Sequence, residues 1–411
     1  MKIAIIGAGV SGLSIARILN STHEIKVFER DSQVGGLIKC SIEQGNLYHH
    51  IGGHVFNSRR QDVLDWFWNI FDQKRDFIPA RRNVAISLED GKVIGAPIEN
   101  HIYQLDESTQ SLILEELLES NTTTLIDNFD DFLRSRFGKT LYRIYFGPYN
   151  HKIWGKSLKD IPLSSMEGKL PSPSIKEILL SNIRRNGEGS NFVHSSFYYP
   201  QKGGSQFIAD TLSKGLNIVC NAEITNITRM NHQWIIKEEA FDKIIFTANI
   251  KDLPTLLDGS GLLLNQEEIA SLEYHGTTSV LCYIDSTPYS WIYMPSQQHE
   301  SHRIICTGNF STSNNAQGTH SVTIEFSKFI SKDDILDNLS KIPFHPQYIT
   351  HHYEEFTYPI QNKRTIQIIQ SAKNTLEPQG IYLVGRFAEW EYYNMDAAIG
   401  ASMDIVARLK L

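Results

Sequence analysis

The residues best suited to chemistry stand at the start of the chain. Gly7-Ala8-Gly9-Val10-Ser11-Gly12 follows the apolar run Lys2-Ile3-Ala4-Ile5-Ile6 and leads into a helix-like stretch, Leu13 to Leu19. Glycines at this spacing suit a dinucleotide. Gly7 allows a tight turn, Gly9 lets a pyrophosphate approach the backbone, and Gly12 lets helix and strand pack closely. The free N–H groups at the helix start, with the positive end of its dipole, then hold the phosphates. A second apolar run, Ile25 to Phe28, ends in Glu29. Glu29 comes about 20 residues after Gly7, the spacing at which an acid meets a ribose hydroxyl.

The motif has a sequel, Glu29-Arg30 and then Gly35-Gly36. That extension resembles flavoproteins of the two-dinucleotide-binding-motif family, which implies FAD and not the NAD of ordinary dehydrogenases. Gly52-Gly53-His54 is a second constellation: the glycines would let the backbone lie against a flat ring, with His54 facing it. A strand turn with a satisfied histidine is the equal alternative. A third piece closes the chain, where Gly380-Ile-Tyr-Leu-Val-Gly385-Arg386 reads as a buried strand stopped by glycine. The helix from Met395 to Leu411 would bring a second helix N-terminus to the cofactor, with Asp396 at a hydroxyl of the ribityl chain. No Ser/His/Asp set is evident. Cys40, Cys220, Cys282 and Cys306 lack CxxC spacing, so they read as reduced thiols with no metal site.

These residues need a frame. Short strands are expected at 2–7, 25–28, 37–40 and 47–50, a helix at 59–71, and a hairpin from Val84 to Ile94 that ends at Pro97. Residues 110–146 carry helical spacing, with Leu112, Leu114, Leu117, Leu118, Phe129, Phe132, Leu133 and Phe137 on apolar positions. Helices are expected at 172–185, from Ser205 and at 333–341, and a loop at 186–190. Strands are expected at 218–219, 223–227, 234–237 and 243–247, then at 280–285, 291–294, 303–307 and 322–326. The predicted fold is α/β: a Rossmann-like FAD-binding domain (1–75, 200–265 and 375–411), an inserted helical sub-domain (100–190), and a mostly antiparallel sheet domain for substrate (76–99 and 266–374).

With 411 residues the chain exceeds the size at which one core keeps growing, so several sub-domains are expected. A net charge of −7 argues against a nucleic-acid partner or polybasic membrane anchor. No run reaches the roughly 18 apolar residues of a membrane span. Met1-Lys2-Ile3 enters a functional strand directly, so a signal peptide is not expected and a cytoplasmic protein is.

With these residues in view the chain resembles the UDP-galactopyranose mutase family, within the wider group of protoporphyrinogen oxidase and the flavin amine oxidases. Gly52-Gly53-His54-Val55-Phe56-Asn57 is similar to the mutases' Gly-Pro-His-Ile-Phe-His, and Ala96-Pro97-Ile98-Glu99 to their Leu-Pro-Ile-Asn. Tyr149-Asn150-His151-Lys152-Ile153-Trp154-Gly155 is similar to their Tyr-x-x-Lys-x-Trp-Gly, and Gly385-Arg386 through Trp390, Tyr392, Asn394, Met395 and Asp396 to their closing segment. The resemblance implies a nucleotide-sugar mutase of surface-polysaccharide synthesis that interconverts pyranose and furanose rings. The reduced flavin N5 would be the nucleophile, and an external reductant would keep FAD reduced. It sets Arg303 and His54 at the reacting centre, and Tyr149, Trp154, Tyr198, Arg303 and Tyr392 around a UDP- or dTDP-linked sugar. The cofactor would lie on Gly7, Gly9, Gly12, Glu29, Arg30, Gly35, Gly36, Gly53, His54, Gly385, Arg386, Met395 and Asp396. A homodimer is compatible with it. Departures fall mainly in the substrate half. The mutases' Arg-Leu-Pro-x-Arg is Lys169-Leu170-Pro171-Ser172-Pro173, leaving one diphosphate arginine to be replaced, for instance by Arg184 or Arg185. The alternative is an oxidase or desaturase of the protoporphyrinogen oxidase or amine oxidase type.

Overall fold

The computed structural model describes residues 1–119, 126, 128–161, 163, 173–185 and 196–409. The Lys2–Ile6 strand lies at the middle of a parallel five-stranded sheet. The order is Ile381–Leu383, Lys243–Phe246, Lys2–Ile6, Glu24–Phe28, Ile218–Val219. Ile3, Ala4 and Ile5 are fully buried, as a strand covered on both faces requires. On one face the helices Val10–Leu19, Gln206–Ser213 and Met395–Leu409 pack, with the Gln61–Ile70 helix beside them. On the other face lie Trp234, Phe241, Leu253 and the Lys363–Leu376 helix. The first and last strands thus flank Lys243–Phe246 and their helices pack together, Ser402 Oγ donating to Ser11 O at 3.2 Å.

The second sheet has seven strands in the order Gln347–Pro359, Tyr274–Tyr283, Ser321–Phe326, Arg303–Ile305, Trp291–Tyr293, Val84–Ser87, Val93–Gly95. Every pairing is antiparallel except that of Trp291–Tyr293 with Val84–Ser87. Its two faces differ in character. Ile292, Ile304, Ile324 and Val280 form an apolar row packed on the Lys332–Leu339 helix, whose Ile335 and Leu339 are buried. The adjacent row, Tyr293, Arg303, Glu325 and Ser279, points to the other face because successive side chains alternate. That polar face is closed over by the nucleotide half, where Tyr48 donates to Ser279 O at 2.7 Å and Gly52 N–H to Glu325 Oε1 at 2.9 Å.

The helical part comprises Glu107–Glu119, Phe129–Leu141, a π turn at Tyr142–Phe146, Gly147–Trp154 and Ile175–Arg184. Ile113, Leu117, Phe129, Leu133 and Phe137 form its core, whereas Leu112 and Leu118 are exposed, contrary to the periodic reading. Other local expectations are also corrected. In place of the expected 37–40 strand there is a 3₁₀ turn, Gly36–Ile38, and the Cys40–Glu43 and Asn46–His49 hairpin follows it. Residues 223–227 are not a strand; a small sheet of Thr228–Met230, Gln233–Ile236 and Glu239–Phe241 follows instead. The Lys363–Leu376 helix and the 13-residue strand Gln347–Pro359 were not foreseen. The expected 186–190 loop and most of Lys169–Pro173 fall outside the described residues.

Candidate active site

The candidate nucleotide cradle is built from backbone. The Val10–Leu19 helix begins at Gly9 with no side-chain cap and no acid in its first turn, so its first N–H groups have no protein anion against them. Gly7 has φ +103°, and a Cβ there would meet Thr247 Oγ1 at 2.7 Å. A Cβ on Gly12 would fall 2.0 Å from Gly7 O, so helix and strand touch only because it is absent. Gly9 is different: a Cβ would meet only Gly36 Cα, at 3.9 Å, and the space above it stays open. Gly35 and Gly36, at φ +126° and +55°, run beside Gly9, and Gly35 N–H donates to Ala8 O at 2.9 Å.

Glu29 is buried at the strand end. Its carboxylate accepts from Ala8 N–H at 2.8 Å and Asp31 N–H at 3.0 Å, which fixes it beside the loop with lone pairs to spare for a ribose hydroxyl. Arg30 is exposed, 3.7 Å from Asp31. Gly385 has φ +107° and sits so close that a Cβ would reach Ser11 Oγ at 2.8 Å. Met395 is buried in the same core, and Asp396 lies in the first turn of the closing helix.

Arg386 joins this cradle to the second sheet. Its guanidinium lies over the rings of Tyr358 and Tyr392, at 5.0 and 4.6 Å, and Nη1 donates to Tyr393 O at 3.3 Å. Its Nε and Nη2 are buried with no acceptor. A buried cation with unmet donors is costly unless an anion meets it. The uncapped helix start, the open space at Gly9, the fixed Glu29 and the unpaired Arg386 together fit a dinucleotide such as FAD.

Beyond Arg386 the tyrosines and arginines are continuous. Tyr358 stacks on Tyr392 with centroids 5.6 Å apart, and Arg303 Nη2 donates to Tyr358 OH at 3.0 Å. Arg303 Nε donates to Glu325, a fully buried carboxylate. Burial works against the Arg303 cation and Glu325 outweighs it, so the arginine is held charged. Tyr149 lies 5.2 Å from both Tyr145 and Tyr293, and burial raises its phenol well above the ordinary range. Lys152 donates to Met294 O at 3.0 Å and Ser301 O at 2.8 Å, tying the helical part to the loop before Arg303. Burial pulls Lys152 down to about 7.

Some expected residues behave differently. His54 Nε2 contacts Leu37 O at 2.9 Å, and its pKa is pushed down to about 4 by burial, then by Arg386 and Arg303. It is a neutral ring beside two cations. The space in front of Gly53, where a Cβ would meet Ile305 Cγ2 at 2.4 Å, is filled by Ile305 and Phe310, so packing accounts for this glycine on that side. Tyr198 is not with the other tyrosines: its ring lies against Trp68, 5.0 Å away, in the nucleotide-domain core. Trp154 packs on the helical core. Arg184 and Arg185 are exposed at the end of their helix.

Sequence reasoning missed Glu325, Tyr358, Arg82 and Glu99. The alternation Val322-Thr323-Ile324-Glu325-Phe326, with an acid inside an apolar strand, was a signal for Glu325. Glu99 is 4% exposed, its Oε2 has no partner, and burial raises its carboxyl to about 7. It sits near the Tyr145 phenol, whose pKa it helps to raise. Among the described residues no group of three or more His, Cys, Asp or Glu could hold a metal, and no helix is long and apolar enough to cross a membrane.

Comparison with known proteins bears on this geometry. Residues 5–73 match the family model of the NAD(P)-binding Rossmann-like domain. The chain is 24% identical to dTDP-fucopyranose mutase of Escherichia coli, across 98% of this chain and 97% of that protein. The structure of reduced UDP-galactopyranose mutase superposes with a TM-score of 0.86 at 22% identity, covering 100% of this chain and 94% of that one. A putative protoporphyrinogen oxidase from Exiguobacterium superposes with a TM-score of 0.76 at 14% identity, covering 100% and 98%. The α/β fold is thus that of the mutases and their oxidase cousins along the whole chain.

Proposed function

We propose that this chain is an FAD-dependent nucleotide-sugar mutase that interconverts pyranose and furanose forms of a sugar linked to a nucleoside diphosphate. The observation that carries the reading is the charge pattern at the junction. Arg386 has two buried donors unmet, and it lies in one aromatic–arginine array with Tyr392, Tyr358 and Arg303. Such an array suits a diphosphate, which needs several charge-assisted donors in a site that excludes water. The full-length likeness to dTDP-fucopyranose mutase supports the same substrate class.

Bound and reduced, FAD would supply a nucleophile, its N5, for the anomeric carbon. The helix start at Gly9, Glu29 and Gly35–Gly36 would hold its dinucleotide part, with Arg386 against one of its anionic oxygens. Arg303 would face the diphosphate and stabilise charge that grows on its terminal oxygen as the bond to the sugar breaks. Glu325 aims Arg303. Tyr358 and Tyr392 donate hydroxyls, while the Tyr145–Tyr149–Tyr293 stack walls the sugar from water. His54, neutral, adds no charge next to the two arginines.

The reaction is redox-neutral overall, so an outside donor must first reduce the flavin. We place the activity in the cytoplasm, making furanosyl donors for surface polysaccharide. The test is a panel of UDP- and dTDP-linked sugars with dithionite-reduced enzyme, product ring size being read by NMR. Ring-contracted product without oxygen uptake supports the reading. Steady peroxide release with amines or porphyrinogens, and no ring contraction, would replace it with the oxidase alternative.

A further inference from the structure

Arg386 is not alone in leaving buried donors unmet near the tyrosine stack. Arg82 precedes the Val84–Ser87 strand, and its guanidinium lies over the Trp291 ring at 4.8 Å. Its Nη2 donates to Tyr293 OH at 2.9 Å, and its Nε is buried without an acceptor. Among the described residues no carboxylate pairs with it, whereas Arg303 has Glu325. The strand register places the two arginines about one array. Trp291 pairs with Val84, and Tyr293 stands directly opposite Arg303. Tyr149 lies against Tyr293, and the charges of both Arg303 and Arg82 act on its phenol.

We propose that Arg82 is a second diphosphate-binding arginine, gripping the nucleoside diphosphate across Tyr149 from Arg303. This rests on the reading of the site as one for a nucleotide sugar. It answers the sequence's own shortfall, since Pro173 stands where the mutase pattern has its second arginine and the helix arginines Arg184 and Arg185 are exposed. A guanidinium stacked on Trp291 with one edge held by Tyr293 is pre-organised, so little rotamer entropy is lost when an anion meets the free edge. A second cation opposite Arg303 also leaves the array positively charged, as a dianionic ligand requires.

The experiment measures binding of UDP and dTDP, with uridine and thymidine as phosphate-free controls, to the flavin-loaded protein and its Arg82→Gln and Arg82→Lys variants. We expect Arg82→Gln to bind the better diphosphate at least tenfold more weakly, with nucleoside affinity unchanged, and Arg82→Lys to fall between. Tyr293→Phe keeps the ring but frees the guanidinium edge, and should give a smaller loss; it carries the test if Arg82→Gln fails to fold. Diphosphate affinity within twofold of the parent in these variants would overturn the proposal. So would an equal loss of nucleoside affinity, which marks a merely structural arginine. If the parent, flavin bound, takes neither UDP nor dTDP, the mutase reading fails and Arg82 loses its role with it.

Discussion

At Arg303 a part-buried cation is matched by a fully buried carboxylate and aimed by it at a tyrosine hydroxyl. Arg303→Ala should lower turnover roughly 10²–10³-fold, the usual effect of removing one donor for developing charge. Flavin content should stay constant, since the cradle lies elsewhere; steady-state kinetics and the visible spectrum check both. Glu325→Gln keeps the size but leaves the part-buried Arg303 without its carboxylate, which should cost roughly 1–3 kcal/mol in urea unfolding. Glu99 gives a pH signature. Burial raises its carboxyl from 4.5 to about 7, so the folded protein keeps a proton that the unfolded chain has lost. Its contribution therefore makes stability fall as pH rises from 4.5 to about 7, and stay level above. Glu99→Gln removes that slope, so relative to the parent it should gain on the order of 3 kcal/mol between pH 4.5 and pH 8. Parallel unfolding curves for the two proteins at both pH values would refute the assignment.

Between the glycine-rich loop and its helix, two neighbouring glycines do different work. Gly12 is needed by packing, because a methyl there would collide with Gly7 O. Gly9 faces open space, so packing does not require a glycine there and the proposed approach of a pyrophosphate would. Gly12→Ala should therefore lower the melting temperature, while Gly9→Val should fold but purify colourless; full flavin in Gly9→Val would sink the cradle. These elements were legible in the sequence because a buried parallel strand, a glycine turn and a helix each leave a local signature. The Gln347–Pro359 strand left none that was clear. It lies at the edge of its sheet with most of its residues half-buried, so its apolar and polar positions do not alternate cleanly, and Tyr358 was lost with it. The helix spacing at Leu112 and Leu118 erred in the opposite sense, since apolar periodicity does not say which side a neighbour covers.

Across the molecule the four cysteines are free, and Cys40 lies in a buried cluster with His49 and Ser205. Reducing conditions, which the proposed chemistry needs, should leave the melting temperature unchanged to within about 1 °C; a larger fall on adding thiol would show a disulfide that stabilises the fold. The chain's two ends meet in the nucleotide half, and its middle supplies the sheet and helices that close the junction. Sequence alone determined the Rossmann-like start and the mixed α/β architecture, because each rests on short-range spacing of glycines and apolar residues, while the flavoprotein class came from resemblance to a known family. Only the tertiary structure decided which charges meet. Arg303 with Glu325, Arg386 with Tyr358 and Arg82 with Tyr293 are far apart in the chain. Whether a cation is paired or left open to a ligand depends on strand register and burial, and no local pattern encodes either.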